Sequence, residues 1–214
     1  YPAYLAAILL YLGLSWASGH LTPSAFLAWD VASHLLMIHN FDPRTLYSIA
    51  GVFWTLAVEE QLYLAYFLLL WLRRRFGWKK TILACVLARV VWFVAAQIFF
   101  RQFGIELVFL GAAAATWCVW ALGAVAVEAH FGLVRLPGWT RSKLLAVFVW
   151  LAAAGFHFIE FMLAKTKGLH RFSSLGELLL QPLWGLAGFL LLVAFLEIER
   201  DRSQLKRSLL VGAF

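Results

Sequence analysis

Two adjacent carboxylates lie inside an apolar stretch of this sequence. Glu59 and Glu60 follow Phe53 by about two helical turns and precede a leucine-rich run that ends at three arginines. A carboxylate deep in a membrane helix costs about 2.5 to 3.5 kcal/mol on insertion scales, so it is rarely left facing lipid. Thr55, Glu59 and Tyr63 recur at every fourth residue, which places them on one helix face. We therefore predict that Glu59 points into a helical bundle.

Possible partners for these carboxylates precede them by one short loop. His34, His39 and Asn40 lie in the segment SHLLMIHN. Two imidazoles close to a carboxylate pair could supply a base for proton transfer and the group that orients it. A structural interpretation stays open, in which the carboxylates pin their helix to its neighbours and the histidines are core or interfacial residues. The candidate catalytic residues are Glu59, Glu60, Thr55, His34 and His39.

The composition indicates a lipid environment. Hydrophobic residues make up 64% of the 214 residues, against roughly 45 to 50% in soluble domains. The net charge of +7 could indicate a nucleic acid, but the basic residues form short clusters between apolar runs, so we expect no nucleic-acid partner. Cys85 and Cys118 stand far apart in apolar segments, without the spacing of a disulfide framework or a zinc site. We expect no bound metal.

Apolar stretches of about 20 residues predict the spanning helices. The segment 24–41 is also apolar but contains Asp30 and both histidines, so we expect it to form an interfacial or re-entrant helix. The prediction is an all-α, polytopic transmembrane helical bundle, in which residues 1–214 form part of a single integral-membrane domain. It has about six spanning helices, at residues 2–17, 51–72, 81–100, 105–129, 144–163 and 178–196.

The basic residues predict the orientation of the bundle. Of the eighteen lysines and arginines, twelve fall in alternate loops and five in the opposite ones. The larger group is expected in the cytoplasm, according to the positive-inside rule. Glu59 and Glu60 would then lie toward the extracytoplasmic side of their helix. The cytoplasmic clusters are Arg73, Arg74, Arg75, Lys79 and Lys80; Arg135, Arg141 and Lys143; and Arg200, Arg202, Lys206 and Arg207.

The same segments resemble a known family. The arrangement HLLMIHN, a short loop and then FWTLAVEEQLYLAYFLLL resembles the acyltransferase 3 family of polytopic membrane proteins, whose helix reads W-S-L-x-x-E-E-Q-F-Y before an apolar run and a basic loop. Weaker matches are YPAYLAAILL, WALGAVAVEA with its Gly123, and the final VGAF, so the resemblance covers nearly the whole chain. The matching residues are Trp54, Thr55, Leu56, Glu59, Glu60, Gln61 and Tyr63, with Thr for Ser and Leu62 for Phe.

The resemblance implies a reaction. The family transfers an acyl group, commonly acetyl, from cytoplasmic acyl-CoA to a hydroxyl of a glycan or lipid-linked sugar across the membrane. We accordingly expect acyl-CoA as the donor substrate, no bound cofactor, and a location in the bacterial inner membrane.

The resemblance also implies where the catalytic group lies. The family's catalytic residue is a histidine in a first membrane helix, which we expect to precede Tyr1. A further helix would follow VGAF, so this chain alone is expected to be inactive. Glu59 or Glu60 would orient that histidine and stabilise its protonated form, as the acid does in a hydrolase triad.

The basic loop after this helix is a candidate for binding the acyl-CoA phosphates. Arg73, Arg74 and Arg75, followed by Lys79 and Lys80, would face the cytoplasm, where the donor is found. The alternative is a topology signal that contacts anionic lipid.

Two other classes of function stay open. In an ion-coupled transporter, Glu59, Glu60 and the mid-helix Arg89 would bind the ion or substrate. In a non-enzymatic membrane scaffold, the polar side chains would only hold helices together. No inverted repeat is visible in the sequence to support the transporter.

Overall fold

The structure is a computed structural model that describes residues 2–20, 24–104, 111–166 and 174–211. Within these ranges every regular element is helical, which confirms the all-α prediction. Short 3-10 helices occupy His39–Phe41 and Gly138–Arg141. The α-helices are α1 (Pro2–Ala17), α2 (Ala25–Leu35), α3 (Phe53–Phe103), α4 (Ala113–His130), α5 (Lys143–Thr166) and α6 (Ser174–Val211).

Several helix ends follow from local sequence. The Ser24 hydroxyl accepts a hydrogen bond from the Leu27 amide at 3.1 Å and so caps the start of α2. At the end of α3, Gly104 adopts a left-handed conformation with φ 65°, which a residue without a Cβ adopts without strain. The long helix α3 is interrupted at Gly77, where φ is 75°. About half of its 51 residues therefore lie on each side of a break inside the predicted basic loop.

Four helices in the described residues are long and apolar enough to cross a membrane. They are α3, α4, the part of α5 over Lys143–Leu163 and the part of α6 over Leu178–Glu199. The predicted number of about six spans is not confirmed. The helix α1 has only 16 residues, fewer than the roughly 20 needed, and two predicted spans fall within α3. The start of the fourth predicted span, residues 105–110, lies outside the described residues.

The segment predicted to lie at the interface or to re-enter the membrane contains a short helix. Its regular part, α2, has 11 residues, too few to cross a bilayer. After α2 the chain turns at Met37, a non-glycine residue with φ 55°, and enters the first 3-10 helix. This turn brings His39 back against α2.

Packing divides the chain into two compact units, the first formed by Tyr1–Gly77 and Leu87–Ala115. Its apolar core contains Tyr4 and Ile8 of α1, Met37, and Phe53 and Ala57 of α3. The rings of Tyr4 and Phe53 lie 4.7 Å apart. The Tyr4 hydroxyl donates to the His34 carbonyl at 3.0 Å, so α1 holds the end of α2 in place.

The second unit comprises Trp78–Val86 and Thr116–Phe214. Helices α4 and α6 approach closely in this unit, because a Cβ built on Gly185 would lie 2.6 Å from Cγ2 of Val119. At the start of α6, the buried carboxylate of Glu160 lies where a side chain on Gly176 would be, 2.7 Å from such a Cβ. The core of this unit contains Val125, Ala126, Ala146, Phe189, Leu190 and Val193.

Large apolar side chains also cover the outside of the helices. Leu64, Phe67 and Trp71 of α3 are exposed. Only 17% of the most apolar 18-residue stretch of α3 is buried. A soluble protein rarely exposes contiguous apolar surface of this extent. These faces therefore fit the lipid environment that the composition predicts.

Candidate active site

Two histidines form a stacked pair in the interior of the first unit. The rings of His34 and His39 are nearly parallel, with centroids 3.8 Å apart and an interplanar angle of 6°. Both residues are 0% exposed. Nε2 of His34 and both ring nitrogens of His39 have no hydrogen-bond partner among the described residues. Buried polar atoms without partners are rare in folded proteins, and they mark sites that call for an explanation.

A carboxylate and a hydroxyl extend this pair toward the surface of the unit. Nδ1 of His34 lies 2.9 Å from the Asp30 carbonyl oxygen and 3.3 Å from Oδ1 of the same residue. Because a carbonyl oxygen only accepts, Nδ1 carries the hydrogen and the neutral ring keeps its lone pair on Nε2. Asp30 Oδ1 in turn accepts from the hydroxyl of the half-buried Ser48 at 2.5 Å. A chain of Ser48, Asp30 and His34 therefore leads inward.

A second polar contact joins the histidine turn to α3. The side chains of Asn40 and Gln61 exchange two hydrogen bonds, of 3.0 and 3.2 Å. Gln61 also donates to the Met37 carbonyl at 2.8 Å, and Asn40 donates to the Gly111 carbonyl at 2.5 Å. The turn that carries His39 is therefore held to the helix of the carboxylate pair.

Burial sets the charge of His39. Removal from water, followed by the proximity of His34, lowers the pKa of His39 from 6.5 to about 4. His39 is therefore neutral at pH 7, with a lone pair able to accept a proton. The site as a whole can accept a proton at a buried imidazole and exchange it with a carboxylate and a hydroxyl.

The carboxylate pair lies elsewhere on α3. Glu59 is exposed, as are Thr55 and Tyr63 on the same face, and Glu60 is half-buried. That Glu59 points into the bundle of the complete protein stays a prediction. Within the first unit, the helix buries an apolar face that includes Ala57 and Leu62.

Thr55 and the carboxylates make few polar contacts in the described part of the chain. The Thr55 hydroxyl donates to the Val52 carbonyl one turn earlier, at 2.8 Å. Among the described residues, Glu59 and Glu60 have no hydrogen-bond or ion-pair partner. The structure thus brings His34, His39 and Asn40 together, and it links them to α3 through Gln61 rather than through a glutamate.

The candidate phosphate-binding arginines lie just before the break in α3. Arg73 is half-buried, and Arg74 and Arg75 are exposed. Lys79 and Lys80, just after the break, are exposed as well. Within the described ranges, no group of three or more histidine, cysteine, aspartate or glutamate side chains could hold a metal ion.

Comparison with known proteins assigns the chain to a family. The model of the acyltransferase 3 family, described as an acyltransferase domain, matches residues 1–213. This chain belongs to the acyltransferase 3 family. No curated protein and no solved structure gives a significant match. The resemblance found in the sequence is therefore confirmed. In this acyltransferase 3 chain, the acyltransferase domain contains four helices long and apolar enough to cross a lipid bilayer among the described residues.

Two members of the buried cluster in this acyltransferase 3 chain, Asp30 and Ser48, were missing from the sequence-based candidates. Asp30 and His34 are four residues apart, a spacing that predicts contact on a helix, and this signal could have identified Asp30. Ser48 lies eighteen residues from its partner Asp30. It gives no local signal, because only the turn after α2 brings the two together.

Proposed function

We propose that this acyltransferase 3 protein is a membrane O-acyltransferase. It moves an acyl group, by resemblance acetyl, from cytoplasmic acyl-CoA to a hydroxyl of a glycan or lipid-linked sugar on the extracytoplasmic side. The observation that carries the proposal is the family match over residues 1–213. Attack on a thioester requires that a hydroxyl lose its proton, and the buried imidazole pair supports the presence of proton-transfer chemistry in this domain. A bacterial inner membrane is the proposed location.

Glu59 is proposed as a positioning residue for the reaction. A carboxylate on the exposed face of an apolar helix is costly unless a polar group meets it. In the complete protein, the catalytic histidine that the resemblance implies would meet Glu59 and be held by it in the orientation that activates a hydroxyl. Thr55 lies one turn away on the same face and would contact the same group. Glu60, which is half-buried, has the smaller role.

The donor is proposed to bind at the basic end of the first arm of α3. Arg74 and Arg75 are exposed and positively charged, so their guanidinium groups can pair with the phosphates of acyl-CoA. The half-buried Arg73 would anchor this cluster to the helix. Contact with anionic lipid remains the competing role of these arginines.

Acyl transfer by the complete protein tests the proposal. The protein is reconstituted in liposomes with radiolabelled acetyl-CoA on the cytoplasmic side and a glycan or lipid-linked sugar acceptor on the other. We expect labelled ester on the acceptor and free CoA in equal amounts. Proton and solute flux measured in the same liposomes without acyl-CoA identifies an ion-coupled transporter instead. The absence of both activities would indicate a scaffold.

A further inference from the structure

The proposed reaction, on which this inference rests, releases a proton on one side of the membrane and takes one up on the other. When the hydroxyl oxygen forms the ester bond, its O–H bond breaks and the proton is released on the extracytoplasmic side. When the thioester C–S bond breaks, the CoA thiolate takes a proton from cytoplasmic water. The base that accepts the hydroxyl proton must lose it before the next turnover. An exit for this proton is therefore needed on the extracytoplasmic side.

We propose that Ser48, Asp30 and the stacked pair of His34 and His39 form the proton exit of the acyltransferase site. The proton taken from the acceptor hydroxyl enters at an imidazole lone pair of the stacked pair and leaves through the Asp30 carboxylate and the Ser48 hydroxyl. The topology predicted from the basic residues places the loop that contains Ser48 on the extracytoplasmic side.

The two nitrogens of His34 have the environments that such a relay needs. Nε2 is buried without a partner among the described residues, so its lone pair is open to a proton from the interior of the unit. Nδ1 carries a hydrogen and lies 3.3 Å from the Asp30 carboxylate. When Nε2 gains a proton, the ring can release the one on Nδ1, which moves the charge across the imidazole. The ring then carries its hydrogen on Nε2 and turns over before it accepts the next proton.

The outer part of the path is already hydrogen-bonded. The Ser48 hydroxyl lies 2.5 Å from the Asp30 carboxylate and is only half-buried, whereas Asp30 is 4% exposed. In the outward step, the protonated Asp30 carboxyl donates its proton to the Ser48 oxygen while the Ser48 O–H proton passes to water, so the hydrogen bond seen in the structure reverses its direction. Ser48 is therefore the member of the chain that can pass a proton to solvent.

The stacked ring of His39 limits the pair to one proton at a time. Two protonated rings at a centroid distance of 3.8 Å would repel each other strongly, because little water lies between them to screen the charges. Protonation of one ring therefore opposes protonation of the other. The pair can pass protons singly but cannot store two, which suits a relay that must be empty at the start of each turnover.

Separation of the first turnover from later ones tests this role. Three forms of the complete protein are prepared: the wild type, His34→Gln and Asp30→Asn. The rate of acyl transfer from acetyl-CoA to the acceptor is measured for each form in a single turnover and in the steady state. Both substitutions preserve approximate shape, and the new amide in Asp30→Asn keeps an oxygen able to accept from Ser48. We expect the single-turnover rate to stay near that of the wild type. The steady-state rate should fall by about 100-fold, the usual contribution of one acid or base group. In a further variant, His34→Ala, added imidazole buffer should restore part of the steady-state rate.

Matched controls come from the same unit. His20→Gln changes an exposed histidine, and Asp42→Asn changes a carboxylate that pairs with Arg44 outside the cluster. Both should leave the two rates unchanged. The relay is overturned if His34→Gln and Asp30→Asn keep the wild-type steady-state rate, or if the single-turnover and steady-state rates fall together. A wild-type protein that forms no ester overturns the proposed function, and the relay with it.

Discussion

Asn40 and Gln61 bind each other through both ends of their amides, with Gln61 Nε2 donating to Asn40 Oδ1 at 3.0 Å and Asn40 Nδ2 donating to Gln61 Oε1 at 3.2 Å. The pair joins the turn after α2 to α3. Gln61 directly follows the two glutamates, so the motif places a structural amide beside its carboxylates. The two kinds of residue should therefore respond differently to substitution.

Replacing Gln61 with leucine should destabilise the protein. Asn40 and the Met37 carbonyl would each lose a partner in a part-buried setting, which costs about 1 to 3 kcal/mol per group left unsatisfied. Thermal unfolding in detergent measures the loss. Gln102→Leu is the matched control, because Gln102 is an exposed glutamine of the same helix and the same unit. Equal melting temperatures for the two variants would refute the structural role.

Replacing Glu59 with glutamine should affect the rate and not the fold. Its side chain is exposed and has no partner among the described residues, so the melting temperature should stay within error of the wild type. If its charge holds a catalytic imidazole, acyl transfer per folded molecule should fall by up to about 10⁴-fold, as in triad acids. Glu60→Gln should have a smaller effect on the rate. A destabilised Glu59→Gln protein with a normal rate would show that the residue joins helices instead.

The close approach of α4 and α6 predicts a steric effect. Gly185→Ala would place a methyl group 2.6 Å from Cγ2 of Val119, a stiff β-branched side chain. We expect a loss of about 1 to 3 kcal/mol, typical of overpacking. Gly188→Ala is the control on the same helix, because nothing lies within 4 Å of the position that its Cβ would occupy. The double variant Gly185→Ala with Val119→Ala should recover most of the lost stability.

The lowered pKa of His39 predicts how stability depends on pH. Between pH 6.5 and about 4 the unfolded histidine binds a proton and the folded one does not. Stability should therefore fall as the pH drops through this window, by about 3 kcal/mol in total. Asp42 contributes little above pH 4, because the hydrogen bonds that it accepts from Arg44 lower its pKa from 3.8 and its effect falls mainly below that pH. In His39→Gln, the melting temperature should change less between pH 6.5 and 4 than it does in the wild type. An unchanged pH dependence of the melting temperature would contradict this assignment.

The distribution of basic residues predicts the side of each loop. A reporter fused at Gly77 should be cytoplasmic, because five lysines and arginines lie within a few residues of it. A reporter near Lys167, which lies outside the described residues, should be extracytoplasmic. Both fusions on the same side of the membrane would show that the predicted number of crossings between them is wrong.

The sequence was most informative where composition alone determines structure. Residues 2–17 were predicted as a helix and form one, and α5 and α6 extend the predicted segments at their ends. Apolar runs of this length form helices because no other local structure satisfies the backbone in lipid. Gly77 shows the limit of such reasoning, since the basic loop predicted there is a break within a helix that otherwise continues.

The candidate site was only partly predictable from the sequence. The histidines were expected near the carboxylate pair, whereas the structure stacks their rings on each other, an arrangement that depends on the backbone of Met37 and on Tyr4 of another helix. The exposure of Glu59 in this chain was not expected from its spacing with Thr55 and Tyr63, because the apolar face of the same helix decides which side packs. Burial of Ala57 and Leu62 sets the rotation of α3, and that rotation depends on partners distant in sequence.

The carboxylate of Glu160 against Gly176 has a consequence for membrane insertion. Before α6 is in place, α5 would present this charge to lipid near its end, at a cost of up to about 2.5 to 3.5 kcal/mol. Once Gly176 packs on the carboxylate, Glu160 is only 7% exposed. The two helices should therefore leave the translocon as a hairpin rather than one after the other, and a glycine at position 176 leaves room for the carboxylate as the hairpin closes.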